Sequence, residues 1–278
     1  MPELPEVETV RRGLEQRFVG RTIRSVEVGR ERSVRRTSRE EVIARLTGVT
    51  AVGARRRGKY LLVDLDSGDE MMIHLRMSGQ VLVDATHHPR PPHCHVVLVL
   101  DGGEELRFVD PRTFGEVVVY DPENVDAILP ELARLGPDPV GDGLDDATLA
   151  RLLRSTRRPV KAALLDQSLV AGIGNIYGDE ILHRAGIHPR RPADRVSSSQ
   201  RRRLLPALHG VLREAIEAGG STLSDAQYVD LMGATGSYQD DHRVYGRAGE
   251  RCPTCARGII ASAVIGGRTS CWCGVCQR

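Results

Sequence analysis

The chain has few aromatic residues, no excess of one charge and no long apolar run. Its 278 residues include one tryptophan and three phenylalanines, and 39 lysines and arginines balance 37 aspartates and glutamates to a net charge of +2. No apolar run approaches the roughly 20 residues of a membrane span, and Met1-Pro2-Glu3 lacks the basic and apolar start of a signal peptide. We therefore expect a cytoplasmic protein, in which any binding of nucleic acid depends on local basic patches.

Cysteine is scarce over most of the chain, because five of the six cysteines lie within the last 27 residues. Zinc explains this cluster better than a disulfide framework does in a reducing compartment. Two C-x2-C pairs, Cys252 with Cys255 and Cys273 with Cys276, have a spacing typical of four thiolates around a tetrahedral Zn²⁺. The stretch between them, 259–270, predicts a β-hairpin that turns at two glycines.

The amino terminus carries an indication of covalent chemistry. If Met1 is removed, Pro2 becomes a secondary α-amine beside several carboxylates. An α-amine has a pKa of about 7.7–8.0, so part of it is neutral and nucleophilic at neutral pH. Attack on a carbon with carbonyl or oxocarbenium character gives a covalent iminium. The alternative is structural: Pro2 starts a helix, and carboxylates such as Glu8 complement the positive end of that helix.

Periodicity divides the chain into two unlike halves. An apolar helical stripe follows Pro2, and alternating segments at 23–28, 60–65, 95–100 and 106–109 predict an antiparallel sandwich. Helices are predicted at 146–153, 159–169, 176–185 and 199–218. We assign a catalytic domain to 1–135, a Gly/Pro-rich linker to 136–145, a helical domain to 146–243 and the cysteine hairpin to 244–278.

Several interior motifs accompany the two termini. They are Arg-Gly-Lys-Tyr at 57–60, His-Leu-Arg-Met-Ser-Gly at 74–79, Asp-Pro-Arg-Thr-Phe-Gly at 110–115, Lys161 with Leu-Asp-Gln at 165–167, Gly-Ile-Gly-Asn-Ile-Tyr at 172–177 and Val-Tyr-Gly-Arg at 244–247. Together the motifs resemble, in order, those of the bacterial formamidopyrimidine-DNA glycosylases and their endonuclease VIII-type relatives. The start Pro2-Glu3-Leu4-Pro5-Glu6 resembles the formamidopyrimidine branch, since the other branch usually has glycine in place of Leu4.

The resemblance implies an α+β fold with an amino-terminal antiparallel β-sandwich and flanking helices. A helix-two-turn-helix domain and a β-hairpin with one structural zinc ion follow. It also implies a monomeric glycosylase and AP lyase of base-excision repair. Such an enzyme excises oxidised purines, 8-oxoguanine or formamidopyrimidines, from duplex DNA and nicks abasic sites by β,δ-elimination. Two alternatives remain open: an endonuclease VIII-like glycosylase for oxidised pyrimidines, and a non-catalytic zinc-hairpin DNA-binding protein.

The resemblance also implies roles for single residues in the chemistry. The Pro2 nitrogen attacks C1′, Glu3 exchanges protons with the sugar, and Lys59 assists base departure or elimination. Glu6 organises Pro2 or a water molecule. Arg268 completes the catalytic set as a cation close to the backbone of the lesion strand.

The remaining implied contacts are to the DNA itself. Met77, Arg112 and Phe114 form a wedge that fills the gap left by the extruded base, although core packing is a rival role for Phe114. The phosphate-binding and other DNA-contacting residues implied are His93, Arg157, Lys161 and Asn175. A plain helix N-cap is the structural alternative for Asn175.

Three departures from the family pattern limit the transfer. Thr113 replaces a second arginine, and Cys271 is a rival third zinc ligand because the cysteine spacing is one residue longer than expected. Finally, the stretch 221–242, which corresponds to the loop that covers the extruded base, matches poorly, so the lesion preference is the least determined property.

Overall fold

The computed structural model describes residues 1–223 and 227–278. Two units are formed: Met1–Arg134 joins Ala218–Gln239, and Leu135–Glu217 joins Asp240–Arg278. The first unit thus includes the segment Ala218–Gln239, which lies within the range 146–243 assigned above to the helical domain. Ser224, Asp225 and Ala226, which belong to the predicted lesion-covering stretch, lie outside the described residues.

The first unit is built mainly from strands. Its helices and strands are α1 (Leu4–Arg17), β1 (Ile23–Val28), α2 (Arg39–Leu46), β2 (Ala51–Arg57), β3 (Tyr60–Leu65), β4 (Glu70–His74), β5 (Gln80–Ala85), β6 (Cys94–Leu100), β7 (Glu104–Val109), β8 (Glu116–Tyr120), α3 (Val125–Ile128) and α4 (Pro130–Ala133). The strands form two antiparallel sheets, in the orders β1-β6-β7-β5 and β2-β3-β4-β8.

Both sheets contribute to one hydrophobic core. Leu98 and Phe108 of the first sheet and Ile73 and Val117 of the second belong to the same buried cluster, together with Val10 of α1. Because alternate side chains of each strand face the opposite sheet, the predicted sandwich is confirmed.

The second unit is helical and ends in the hairpin. Its elements are α5 (Asp146–Arg154), α6 (Val160–Leu164), α7 (Asn175–Ala185), α8 (Ser198–Glu217), β9 (Ile260–Ile265) and β10 (Arg268–Cys273). No helix in the described part of either unit is long and apolar enough to cross a membrane.

The helix predicted at 159–169 is shorter in the structure, because a glutamine side chain organises the turn that follows it. The Gln167 amide donates to the carbonyls of Leu165 at 2.9 Å and Ile173 at 2.8 Å. Its oxygen accepts from the Gly172 N–H at 2.8 Å. These bonds take the place of continued helical ones, and α7 then begins at Asn175.

Candidate functional site

Pro2 is buried immediately before the first helix and is not part of it. The helix begins at Leu4 with Glu3 as its N-cap residue, and Pro5 lies in the first turn. Pro2 therefore lies outside the helix, which begins at Leu4, and the proline of its first turn is Pro5. Glu3 is only 2% exposed, so a carboxylate is sequestered from water right beside the candidate amine.

Glu6 connects the amino terminus to the returning segment 218–239. One carboxylate oxygen accepts from the Glu3 N–H at 2.7 Å, and the other accepts from the Ser221 N–H at 2.7 Å. Hydrogen bonds to a carboxylate are stronger than neutral ones. Glu6 thus fixes the residue that follows Pro2 and the start of the segment at the same time. No local pattern in the sequence indicates Ser221 as its partner.

Lys59 is placed by an ion pair on the neighbouring strand. It lies in the turn between β2 and β3 and is 6% exposed. Arg56 pairs with Glu8 (Nε to Oε2, 3.0 Å) and donates to the Gly58 carbonyl at 2.9 Å. The turn that carries Lys59 is therefore tied to α1. Glu8 lies beyond the first helical turn, where a helix dipole has little effect, so its role is this pairing.

The three wedge candidates project from two turns of the first unit. Met77 is 43% exposed and Phe114 is 46% exposed, whereas the other two phenylalanines, Phe18 and Phe108, are completely buried. Arg112 is also exposed. The rival role of Phe114 in core packing is therefore excluded.

The backbone of these turns is strained. Of the described residues other than glycine, only Arg76, His93, Thr113 and Ala256 have a positive φ. Such conformations cost about 1–3 kcal/mol each, and for a β-branched residue such as Thr113 they are real outliers. Strain is therefore concentrated beside the predicted DNA contacts Met77, His93, Arg112 and Phe114.

Two arginine-rich runs, 30–39 and 55–57, make contacts within the first unit. Arg36 pairs with the fully buried Glu116 at 2.8 Å, and Arg32 donates to the Thr113 carbonyl at 3.1 Å. Arg55, in the second run, pairs with Asp64 at 2.5 Å. Much of the charge in runs 30–39 and 55–57 is thus compensated within the unit.

Lys161 forms a buried ion pair in the second unit. Its Nζ lies 2.6 Å from Asp179 Oδ1 and donates to the Thr269 carbonyl at 3.2 Å, and both charged side chains are 0% exposed. Asp179 also accepts from the Cys271 N–H at 2.9 Å. Burial raises the pKa of Asp179 to about 6. The pair joins α6, α7 and β10, while the phosphate contact of Lys161 stays a prediction.

Asn175 is the first residue of α7, one residue before the predicted start at 176. Gly174 is the N-cap residue, so the alternative role of Asn175 as a plain N-cap is wrong. The Asn175 Oδ1 atom is buried and has no hydrogen-bond partner among the described residues. This oxygen can only accept, so an anion here would be bound by the Asn175 NH₂ group and by the N–H groups at the helix N-terminus.

Arg157 and Arg268 are both open to solvent. The Arg157 side chain is 93% exposed, and Arg268 borders a surface cleft of about 310 Å³ together with Arg158 and Asp166. The hairpin tip is held close to α6, because a Cβ on Gly266 would lie 2.8 Å from the Ala162 Cβ. Only glycine combines that approach with φ +59°.

The four predicted zinc ligands converge. The sulfur atoms of Cys252, Cys255, Cys273 and Cys276 lie within 4.8 Å of one another. Two of their separations are 3.8 Å, close to the roughly 3.8 Å edge of a tetrahedron with Zn–S distances of about 2.3 Å. A Cβ on Gly258 would lie 2.6 Å from the Cys273 sulfur, so glycine is required there. Cys271 is outside the group, which confirms Cys273 as the third ligand.

One buried carboxylate of α7 has a role that the sequence analysis missed. Glu180 is 3% exposed and accepts from the N–H groups of Arg243, Val244 and Tyr245 at 2.8–2.9 Å. It thereby fixes the segment that leads into the hairpin. The available signal was the acidic pair Asp179-Glu180, which is followed directly by the apolar residues Ile181 and Leu182.

Comparison with known proteins covers the whole chain. Residues 1–117 match the formamidopyrimidine-DNA glycosylase N-terminal domain, and residues 135–227 match the formamidopyrimidine-DNA glycosylase H2TH domain. Curated relatives named formamidopyrimidine-DNA glycosylase include proteins of Cereibacter sphaeroides, 47% identical, and Geobacillus kaustophilus, 44% identical. Each alignment covers 100% of both chains.

Solved structures agree with the sequence relatives. Lactococcus lactis Fpg in complex with DNA containing an abasic site has a TM-score of 0.90 and 36% identity over 99% of each chain. A mutant of that protein in complex with DNA containing Fapy-dG has a TM-score of 0.91 and 37% identity over 100% of each chain.

Proposed function

The chain belongs to the formamidopyrimidine-DNA glycosylase family, and from this premise we propose that it excises oxidised purines from duplex DNA and then cleaves the strand. It is a DNA glycosylase of base-excision repair with the AP lyase activity typical of the family. Its partner is double-stranded DNA with an oxidised base or an abasic site. The specific proposal is that 8-oxoguanine and formamidopyrimidines are its substrates and that Pro2 is its nucleophile.

The observation that supports this chemistry most directly is the position of Pro2. It is buried outside the helix, next to the sequestered Glu3, whose N–H is held by Glu6 at 2.7 Å. A residue that served only to start a helix would lie in the first turn, where Pro5 is found. Once Met1 is removed, the Pro2 nitrogen is a fixed secondary amine beside carboxylates.

The proposed reaction begins with substitution at C1′. The Pro2 nitrogen forms a bond to C1′ while the bond to the base breaks, and Lys59 assists departure of the base. Glu3 takes up the proton that the Pro2 nitrogen loses and passes it to the ring oxygen as the sugar opens, which leaves an iminium between the nitrogen and C1′. Loss of a C2′ proton expels the 3′ phosphate, and a second elimination expels the 5′ phosphate. Water finally hydrolyses the iminium and restores the amine.

DNA binding is assigned to both units. In the first unit, Met77, Arg112 and Phe114 enter the stack when the damaged base leaves it, and His93 contacts the duplex. In the second unit, phosphates are bound by Asn175 beside the α7 N-terminus and by the exposed side chains of Arg157 and Arg268. Lys161 is proposed to bind a phosphate as well, with its ammonium next to Asp179.

Zinc has a structural role in this proposal. The four cysteine ligands fill a tetrahedral shell and leave no position for a reactive water. When bound, the ion cross-links the two ends of the hairpin that carries Arg268. We place the enzyme in the bacterial cytoplasm, where its DNA substrate lies and where thiols stay reduced.

The test is borohydride trapping on a duplex that contains one 8-oxoguanine opposite cytosine, followed by intact mass measurement and peptide mapping. Mapping is unambiguous because the chain contains only two lysines, Lys59 and Lys161. The expected result is one covalent adduct on Pro2 of the chain that lacks Met1. The matched control is the same protein with an uncleaved amino-terminal extension, in which the Pro2 nitrogen is an amide and no Pro2 adduct forms.

Other outcomes separate the alternatives. An adduct on a thymine-glycol duplex but not on 8-oxoguanine would favour the endonuclease VIII-like preference for oxidised pyrimidines. Tight binding without any adduct, unchanged in a Pro2→Gly variant, would favour the non-catalytic DNA-binding protein.

A further inference from the structure

One buried carboxylate holds the backbone beside each wedge residue. Asp110 follows β7 and is 0% exposed. One of its oxygens accepts from the Ser78 hydroxyl at 2.6 Å and from the Arg112 N–H at 3.2 Å. The other oxygen accepts from the Gly115 N–H at 2.7 Å. A single side chain thus bonds two separate turns of the first unit.

These bonds reach the wedge because of chain order. Met77 immediately precedes Ser78, and Phe114 immediately precedes Gly115. The Arg112 N–H also lies 3.3 Å from the Ser78 hydroxyl, which closes the link between the two turns. Met77, Arg112 and Phe114 therefore share one anchor although they come from different turns.

The backbone of Asp110 adds a third segment. Its N–H donates to the His93 carbonyl at 3.0 Å, and its carbonyl accepts from the Thr113 N–H at 3.2 Å. The same carbonyl lies 2.9 Å from His95 Nε2. The predicted DNA contact His93 is thus fixed by the same residue as the wedge.

The three segments that meet at Asp110 contain the strained residues Arg76, His93 and Thr113, with φ of +53°, +64° and +56°. Left-handed conformations of such residues persist only where the surroundings enforce them. A second set of contacts assists: Arg76 pairs with the buried Glu116 at 2.9 Å, and Arg32 bonds the Thr113 carbonyl at 3.1 Å.

We propose that Asp110 is a positioning residue that presets Met77, Arg112 and Phe114 for insertion into the base stack. The proposal rests on the glycosylase function given above. Asp110 is completely buried and acts through its neighbours, so it is not a catalytic residue. A wedge already held in its inserting conformation loses little freedom on entering the duplex, which lowers the cost of extruding the base.

The test uses Asp110→Asn, which keeps the size of the side chain but replaces one acceptor oxygen with an NH₂ group. That group cannot accept from the N–H of Arg112 or Gly115. We expect single-turnover excision of 8-oxoguanine to fall by about tenfold or more, while cleavage at a preformed abasic site falls less than about threefold, because no damaged base has to be extruded there.

A rescue variant separates positioning from general damage. Asparagine adopts the left-handed conformation far more readily than threonine does. Thr113→Asn in the Asp110→Asn protein is therefore expected to recover about threefold or more of the lost excision. Ser78→Ala, which removes only the link to the 75–79 turn, should reduce excision in the same selective way but to a smaller extent.

A second readout is independent of excision. A 2-aminopurine placed beside an abasic analogue brightens when the stack opens, and Asp110→Asn should brighten it less than wild type does at saturating protein. Equal losses of excision and abasic-site cleavage in both Asp110→Asn and Ser78→Ala, or full wild-type brightening with unchanged excision, would overturn the proposal. If Asp110→Asn does not fold, Ser78→Ala carries the test.

Failure of the proposed function is distinguishable from failure of the proposal for Asp110. Wild-type protein that excises no 8-oxoguanine contradicts the proposed glycosylase function. The fluorescence comparison between wild type and Asp110→Asn still decides whether Asp110 positions the wedge.

Discussion

The wedge turn at 110–115 and the cysteine hairpin at 252–276 each present an exposed arginine, but they are held in different ways. The wedge turn rests on the large sandwich core and is fixed by hydrogen bonds to Asp110. The hairpin contributes Ile260 and cysteines to a small buried cluster that also includes Val244. A segment with little apolar surface to bury needs a metal cross-link, whereas a turn on a large core can be strained and still stay ordered.

Loss of zinc should have the largest effect, because the hairpin loses the cross-link that holds it together. Structural zinc binding contributes about 10–16 kcal/mol in small domains, so Cys273→Ser should lose the ion and disorder the hairpin. Zinc content, fluorescence of the single tryptophan, Trp272, and affinity for abasic-site DNA are the measurements. Cys271→Ser is the matched control and should retain one zinc per chain. A zinc-free Cys271→Ser protein would show that the ligand set is wrong.

The next largest effect concerns the buried ion pair of Lys161 and Asp179, which bonds the backbone of β10. Lys161→Met leaves Asp179 buried without its cation, which should lower the free energy of unfolding by about 3–5 kcal/mol. Asp179→Asn added to that variant should recover part of the loss, because a neutral amide can still accept from the Cys271 N–H. Urea unfolding followed by circular dichroism measures both. Additive losses in the double variant would mean that the two side chains do not interact.

An exposed and a buried phenylalanine should differ in what their loss affects. Phe114→Leu removes an aromatic ring that is 46% exposed, so stability should change by less than about 0.5 kcal/mol while 8-oxoguanine excision falls about tenfold, or about 1.4 kcal/mol. Phe18→Leu, the matched change at a fully buried ring, should do the reverse: it should lower stability and leave excision by the folded protein near wild type. Similar profiles for the two variants would remove the distinction.

The smallest effect, measured over the single unit between pH 6.5 and 5.5, is a pH dependence at the base of the Met77 turn. Burial lowers the pKa of His74 to about 3, and its Nδ1 accepts from the Arg76 N–H at 2.9 Å. The unfolded chain takes up this proton below a pKa of about 6.5 while the folded chain does not, so stability is complete above pH 6.5 and is lost as the pH falls towards 3 by up to about 1.4 kcal/mol per unit.

The check on this pH effect is a comparison of slopes. His74→Asn retains an acceptor but does not titrate, so its unfolding free energy should fall less steeply than that of wild type between pH 6.5 and 5.5. Parallel curves would be incompatible with a neutral, buried His74.

Features set by short-range patterns could be predicted from the sequence. The two cysteine pairs and the Gly266-Gly267 turn predict the hairpin, and the structure confirms it, because each depends on residues within a few positions. The start of α7, predicted at 176 and found at Asn175, and the sandwich were predictable in the same way. The α+β architecture therefore follows from periodicity, and the family follows from the resemblance of the motifs to those of known proteins.

Features that depend on distant partners could not be predicted. The helix at 159–169 stops early because Gln167 finds a carbonyl at Ile173, and the arginines of 30–39 bond carboxylates and carbonyls some 80 positions away. The roles of Asp110 and Asp179 depend on which backbone donors surround them. A pattern identifies the residue type in these cases, but only the fold supplies its partner.

The discontinuity of the first unit has a consequence for synthesis on the ribosome. Leu231 belongs to the sandwich core, and its carbonyl accepts from the Val83 N–H at 2.9 Å. A nascent chain that ends between residues 120 and 231 therefore lacks part of that core, although all eight strands of the sandwich have already been made. Because domains tend to fold as they emerge, the amino-terminal unit must wait until α5 to α8 of the second unit have been translated before its own interior is closed.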